Sequence, residues 1–208
     1  MRRARMPHAG LLLWLPALLL VGCGAEPTLE PFPPGAVILA FGDSLTAGNG
    51  APREQAYPSR LATLSGHRVI NAGVPGELSA AGMKRLPGAL GTHRPALVLL
   101  CHGGNDILRR VGAETLGANL RQMVETIRGS GAQVVLIAVP TLGLGLRPHP
   151  AYAGLAEDLG LVLENRVITD VLSDPALKSD GVHPSAAGYA IIAERLHGLL
   201  RERGALVE

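Results

Sequence analysis

The chain has 208 residues and a formal net charge of +2, and this length fits one domain with a single buried core. Hydrophobic residues make up 47% of the chain and charged residues 17%, a composition that excludes intrinsic disorder. Arg2, Arg3 and Arg5 supply three of the positive charges, so the rest of the chain lacks the basic surface typical of nucleic-acid binding.

The N-terminus predicts a secretory signal peptide over residues 1–22. Its apolar run, 11–22, is too short to span the roughly 30 Å hydrocarbon core of a bilayer as a helix. The junction Leu20-Val21-Gly22-Cys23 resembles the lipobox of bacterial lipoproteins, in which the cysteine is lipidated and becomes the first residue after cleavage. We therefore expect a lipid anchor at Cys23, a proline-rich tether over 23–35 and a membrane-bound location in the bacterial cell envelope. An ordinary signal peptide followed by a buried or disulfide-bonded Cys23 is the alternative.

Residues 36–208 are predicted to form one α/β domain, because short aliphatic runs alternate with amphipathic stretches. The predicted strands are 36–41, 68–71, 96–101, 133–139 and 161–163, and the predicted helices are 57–64, 79–90, 113–130, 151–159 and 184–203. Continuous aliphatic strands are covered on both faces, and right-handed crossovers place helices on each side. The expected fold is a three-layer α/β/α sandwich of the flavodoxin-like kind, with a central, mainly parallel five-stranded sheet. Cys101, at the end of one aliphatic run, is expected to be a small core residue.

Four segments hold most of the concentrated polar residues: 41–45, 71–76, 103–106 and 180–184. Three follow predicted strands and one precedes the last helix. Since ligands of such sheets bind outside the carboxyl ends of the strands, we expect all four segments to meet at one cleft. Ser44 is the candidate nucleophile, because a serine on a tight turn after a buried strand is presented to solvent with its own N–H free.

A serine needs a base, and the base needs an acceptor that holds it in the correct tautomer. Asp180 and His183 suit this pairing, because Gly181 relaxes the backbone between them. The carboxylate can then reach one nitrogen of the imidazole while the other faces Ser44. The candidate donors to a developing oxyanion are the N–H groups of Ser44 and Gly76 and the side-chain amide of Asn105.

These segments resemble blocks I, II, III and V of the SGNH hydrolases, also called the GDSL esterase/lipase family. The GDSL, GGND and DGVHP motifs are complete at 42–45, 103–106 and 180–184, and the similarity covers 36–200. The chain is most similar to the small bacterial thioesterase, arylesterase and lysophospholipase group. The resemblance implies the following roles: Ser44 as nucleophile, His183 as base, Asp180 as its orienting acid, and Gly76 and Asn105 as partners of Ser44 in the oxyanion hole.

Block II departs from the family pattern, since Gly76-Glu77-Leu78-Ser79 stands where Gly-Asp-Thr-Ser is frequent. The backbone donor is unaffected, but Pro75 and Leu78 are expected to make the substrate-facing rim more apolar and stiffer. The apolar stretch 140–146 is a candidate lining for an acyl-chain groove. His102 and Arg109, which flank block III, are further candidates for contact with the substrate.

The expected activity is hydrolysis of small acyl esters, thioesters or lysophospholipids, without a cofactor or a nucleic-acid partner. No metal is expected either, since the sequence has no metal-ligand spacing. Each candidate residue taken singly has a structural explanation as a helix cap or turn residue, and only their joint occurrence favours an active site. Two other functions remain open. A polysaccharide O-deacetylase is disfavoured because the single Trp lies in the signal peptide. A non-catalytic envelope-binding lipoprotein is disfavoured because all the candidate catalytic residues are intact.

Overall fold

The computed structural model describes residues 26–141, 143 and 145–206, so the predicted signal peptide and Cys23 lie outside the described residues. The strands in chain order are β1 (Val37–Gly42), β2 (Arg68–Gly73), β3 (Leu97–Cys101), β4 (Gln133–Ile137), β5 (Pro140–Thr141), β6 (Arg147–Pro148) and β7 (Val162–Glu164). The α-helices are α1 (Ser44–Ala47), α2 (Tyr57–Ser65), α3 (Ser79–His93), α4 (Gly104–Leu108), α5 (Ala113–Gly129), α6 (Pro150–Leu159), α7 (Val167–Ser173) and α8 (Ala186–Glu202).

Over this part of the chain the central sheet has five strands in the order β2-β1-β3-β4-β7, and every neighbouring pair is parallel. The strands β1, β3 and β4 are aliphatic and almost wholly buried, as expected of strands covered on both faces. The helices α3, α5 and α6 pack together in one layer, and α2, α7 and α8 pack together in the other. The three-layer α/β fold predicted from the alternating pattern is therefore confirmed.

The structure also contains short elements that periodicity did not predict. Helices α1 and α4 each begin within three residues of the end of a strand of the sheet, and α7 has only seven residues. Elements this short show too few turns for an apolar period to be recognised. The strand predicted over 133–139 ends at Ile137, because its neighbour β7 pairs with it only as far as Glu164. Val139 and Pro140 are thereby released from the sheet and become part of the cleft described below.

The described part of the predicted tether, 26–35, is docked on the domain. The N–H of Leu29 donates to the carbonyl of Arg203 over 2.8 Å. The Gln133 side chain accepts from the N–H of Glu30 (2.6 Å) and donates to its carbonyl (2.9 Å). Leu29 is only 8% exposed, and burying this apolar side chain stabilises the docked position. These residues, predicted as part of a proline-rich tether, thus pack against the domain where the strands of the sheet begin.

Cys101 ends β3 and is fully buried, which confirms that it is a core residue. Burial raises the pKa of its thiol, so this cysteine has little thiolate character. No helix in the described residues is long and apolar enough to cross a membrane.

Candidate active site

Ser44 lies at the carboxyl end of β1, where it is the first residue of α1. The preceding Gly42 is required by close packing, because a Cβ at this position would overlap the carbonyl of Cys101 on β3. Asp43 caps α1 by accepting from the N–H of Leu45 over 3.1 Å, and its second carboxylate oxygen accepts from the N–H of Gly104 over 3.0 Å. Asp43 is 1% exposed, and burial raises its pKa. Its carboxyl group therefore joins the loop after β1 to the loop after β3.

Ser44, His183 and Asp180 form a continuous chain of hydrogen bonds. The distance from His183 Nε2 to Ser44 Oγ is 3.0 Å, and that from His183 Nδ1 to Asp180 Oδ2 is 2.8 Å. A carboxylate can only accept, so Nδ1 carries the hydrogen and Nε2 is left to accept from the Ser44 hydroxyl. Ser44 and His183 are 139 positions apart in the sequence, yet the three side chains have the hydrogen-bonded geometry required for nucleophilic catalysis.

The other oxygen of Asp180 is held by its own loop. Asp180 Oδ1 accepts from the N–H of Val182 over 2.8 Å and from the N–H of His183 over 2.9 Å. The hydrogen bond with the His183 side chain, followed by that from Val182, holds the pKa of Asp180 below its usual range. Asp180 is therefore an anion throughout the neutral pH range, and its side chain is 53% exposed.

The proposed oxyanion donors meet at the same cleft, which Ser44, Gly76 and Asn105 all line. Within the described residues, the N–H groups of Ser44 and Gly76 donate no hydrogen bond. The first N–H of a helix has no partner inside that helix, so the Ser44 N–H is free to bind an anion. Asn105 donates one amide hydrogen to the carbonyl of Glu77 over 3.0 Å, which leaves its second hydrogen for a ligand.

Buried tyrosines tie the helical layers to the strand-end loops. The hydroxyl of Tyr152 on α6 donates to the carbonyl of His102 over 2.7 Å, and that of Tyr189 on α8 donates to the carbonyl of Asn49 over 2.8 Å. Both tyrosines are fully buried. Neither tyrosine was predicted to have this role, because an isolated tyrosine in an amphipathic helix predicts only core packing.

The cleft beside Ser44 has a volume of about 240 Å³ and is largely aliphatic. Its apolar wall consists of Leu45, Ile107, Leu108, Val139, Pro140, Leu146, Leu172 and Val182. Pro140 and Leu146 come from the stretch 140–146 that was predicted to line an acyl-chain groove. Ile107, Leu172 and Val182 were not predicted, because they come from two short helices and a loop whose direction depends on the tertiary fold.

The structure changes the expectations for block II and its neighbours. Pro75 and Leu78 do not line the cleft. His102 does not line it either, because its ring is fully buried against Glu77. Arg109 is exposed, and its guanidinium lies 3.5 Å from the carbonyl of Gly76 at the rim. No group of three or more acidic, His or Cys side chains in the described residues could hold a metal ion.

The chain is similar to known proteins in family, sequence and fold. The model of the GDSL-like Lipase/Acylhydrolase family matches residues 40–191. The chain is 31% identical over 196 residues to Esterase TesA of Pseudomonas aeruginosa, with 89% of this chain and 98% of the relative covered. It is 30% identical over 165 residues to Thioesterase 1/protease 1/lysophospholipase L1 of Escherichia coli, with 76% and 79% covered. The psychrotrophic esterase EstA from Pseudoalteromonas sp. has the same fold, with a TM-score of 0.72 at 24% identity over 80% of this chain and 97% of the other.

Proposed function

The chain belongs to the GDSL-like lipase/acylhydrolase family and is an ester hydrolase, and we propose that it acts through an acyl-enzyme on Ser44. The observation that carries the proposal is the hydrogen-bonded chain Ser44–His183–Asp180 at the mouth of an aliphatic cleft. The same cleft offers two free backbone N–H groups and an amide, so attack and charge stabilisation can occur at one place.

In the proposed mechanism, His183 Nε2 takes the hydroxyl proton as Ser44 Oγ bonds to the acyl carbon. The carbonyl electron pair moves onto its oxygen, where the N–H groups of Ser44 and Gly76 and the Asn105 amide stabilise the negative charge. The tetrahedral intermediate collapses, and the leaving alcohol or thiol departs with the proton from His183. Water then attacks the acyl-enzyme by the same route, releasing the carboxylic acid and restoring Ser44. Asp180 keeps the imidazole oriented and stabilises its protonated form.

The cleft favours an apolar acyl group as the part of the substrate that binds next to Ser44. Its wall is aliphatic, and the described residues that line it include no Phe, Tyr or Trp. Sugar rings are commonly held on aromatic faces, so this lining favours acyl esters and thioesters over the alternative of a polysaccharide O-deacetylase. The intact triad geometry likewise argues against the alternative of a purely binding role.

Replacing Leu108 with Gln is expected to weaken binding of long acyl chains. Leu108 is 46% exposed at the lip of the cleft, so the change removes apolar contact without creating a buried polar group. We expect KM for p-nitrophenyl octanoate to rise about 5-fold, from the loss of about 1 kcal/mol of apolar burial, with KM for the acetate unchanged. Leu64→Gln is the matched control, since Leu64 is 44% exposed on α2 and lies outside the cleft. Equal effects on the two esters would contradict an acyl-binding cleft.

Replacing Asn105 with Ala is expected to lower kcat by about 10²–10³-fold with little change in KM, because its amide would act on charge that exists only in the transition state. The measurement is kcat per titrated active site, with Tm recorded on the same preparation. Gln133→Ala is the control, since it removes another hydrogen-bonded carboxamide at the opposite edge of the sheet. A lower Tm with an unaltered kcat in Asn105→Ala would show that Asn105 only shapes the turn after β3 and would contradict its role in the oxyanion hole.

The proposal extends to the cell envelope, where Cys23 is the attachment point. Cys23 lies three residues before Glu26, where the described chain begins beside Arg203. Three extended residues span at most about 11 Å. The docked segment lies where the strands begin and Ser44 lies where they end, so a lipid on Cys23 would hold the domain by the pole opposite to the cleft. The active site would then open away from the anchoring membrane.

Cys23→Ser is expected to prevent acylation and to release the enzyme from membranes, with the kcat for p-nitrophenyl acetate unchanged. The physical reason is that only the cysteine sulfur can carry the lipid, while the apolar run before it is too short to span a bilayer. Radiolabelled palmitate incorporation and membrane fractionation measure the outcome. A variant that is still acylated and still cleaved before residue 23 would overturn the lipoprotein assignment.

A further inference from the structure

We propose that Glu77 is a positioning residue for the oxyanion hole, holding Asn105 through its backbone carbonyl while its side chain fastens the block II loop to the sheet. This inference rests on the proposed role of Asn105 in stabilising the oxyanion. Glu77 was noticed in the sequence only as a departure from the family pattern. In the structure its side chain contacts Arg85 on α3 and His102 after β3, and its carbonyl accepts from Asn105.

The backbone carbonyl of Glu77 holds Asn105 in place. The carbonyl of Glu77 accepts the Asn105 amide over 3.0 Å, and Glu77 directly follows Gly76, the proposed backbone donor. A displacement of this carbonyl therefore moves the side-chain amide of Asn105. An oxyanion donor is effective only within a narrow distance range of the developing charge, so the position of this one peptide matters for the rate.

The side chain of Glu77 forms a bidentate ion pair with Arg85 on α3. Arg85 Nε donates to Glu77 Oε1 over 3.0 Å, and Arg85 Nη2 donates to Oε2 over 2.7 Å. Arg85 Nη2 also donates to the carbonyl of Ala72 on β2 over 3.1 Å, and the guanidinium lies 4.1 Å from the ring centroid of Phe41 on β1. The loop is thus fixed to two strands through one planar group, a geometry that a lysine could not reproduce.

The side chain of Glu77 also contacts His102, which follows β3. Its Nε2 lies 3.1 Å from Glu77 Oε2, and its ring is fully buried. Nδ1 has no hydrogen-bond partner within the described residues, so Glu77 is the only hydrogen-bonding side chain that this ring has there. Gly82 on α3 makes the contact possible, because a Cβ at that position would overlap the ring.

The carboxylate oxygens of Glu77 accept side-chain hydrogen bonds from both Arg85 and His102, and the side chain is 8% exposed. Burial raises the pKa of Glu77, but the hydrogen bonds from Arg85 and His102 outweigh it and leave the pKa lowered. Glutamine has the same shape, yet its NH₂ would face a donor in either orientation. The Glu77→Gln substitution therefore places one N–H donor against another and loosens the block II loop without changing the length of the side chain.

The experiment is a double-mutant cycle of Glu77→Gln and Asn105→Ala, measured with p-nitrophenyl acetate per titrated active site. We expect Glu77→Gln alone to lower kcat about 10-fold with KM unchanged, the size typical of coupling within one hydrogen-bonded network. In the Asn105→Ala background the same substitution should have almost no further effect, because the group that it positions is gone. A merely structural role would lower Tm without this dependence on Asn105.

Glu164→Gln is the matched control, since Glu164 is also a buried carboxylate paired with an arginine, with Arg195 Nε 2.8 Å away, and it does not line the cleft. It should lower Tm and leave kcat unchanged. Additive losses in the cycle, a rise in KM alone, or an unchanged kcat in Glu77→Gln would each overturn the positioning role. The proposed oxyanion hole fails separately, through an unaltered kcat in Asn105→Ala alone.

Discussion

Replacing Ser44 with Ala is expected to lower kcat for ester hydrolysis by about 10⁶-fold, the effect typical of removing a catalytic serine. Ser44 Oγ is 3.0 Å from His183 Nε2, and without it the imidazole has no hydroxyl to activate at the cleft. Hydrolysis of p-nitrophenyl acetate measures the loss. Mass spectrometry after treatment with a fluorophosphonate should find one label on wild type, at Ser44, and none on Ser44→Ala.

Ser59→Ala is the control for this experiment, because Ser59 lies on α2 and, within the described residues, its hydroxyl only donates to the carbonyl of Arg53 over 2.9 Å. It should keep full activity and full labelling at Ser44. Labelling at another residue, or hydrolysis that persists in Ser44→Ala, would contradict the nucleophile assignment.

Replacing Asp180 with Asn is expected to lower kcat by about 10³–10⁴-fold, and more than replacing it with Ala. Asp180 Oδ1 accepts from the N–H groups of Val182 and His183, so the amide oxygen of Asn must take that place. The amide NH₂ then faces Nδ1 of His183 and donates to it, which puts the imidazole hydrogen on Nε2. In this tautomer Nε2 cannot accept the Ser44 proton, the reason an Asp-to-Asn change in a triad is so costly.

Asp180→Ala removes the same charge without imposing the wrong tautomer, because Asp180 is 53% exposed and water can take its place beside Nδ1. We therefore expect Asp180→Ala to retain more activity than Asp180→Asn, with kcat measured per titrated active site for both. Equal kcat values in the two variants would show that charge alone, and not the tautomer, determines the contribution of Asp180.

The sequence by itself determined the layers of the fold and the members of the proposed triad. Strands such as β3 are continuous aliphatic runs, and the composition of such a run predicts a strand that is buried on both faces. Ser44, Asp180 and His183 were identified because they occupy short motifs, within which spacing constrains geometry: Asp180 and His183 are three positions apart and do form a hydrogen bond. The pairing of Ser44 with a histidine 139 positions away depended on the rule that strand-end loops of a parallel sheet share one edge.

Only the tertiary structure decided what surrounds those residues. The aliphatic wall of the cleft combines Ile107 and Leu172, from two short helices, with Val182, from the loop before α8, and no local pattern indicates which way these side chains point. Leu29 is docked because it meets a complementary surface near Arg203, whereas composition alone predicted only a proline-rich tether. Glu77 was a mere deviation in a motif until the fold placed Arg85 and His102 against it, since a hydrogen bond between distant residues depends on the positions of both backbones.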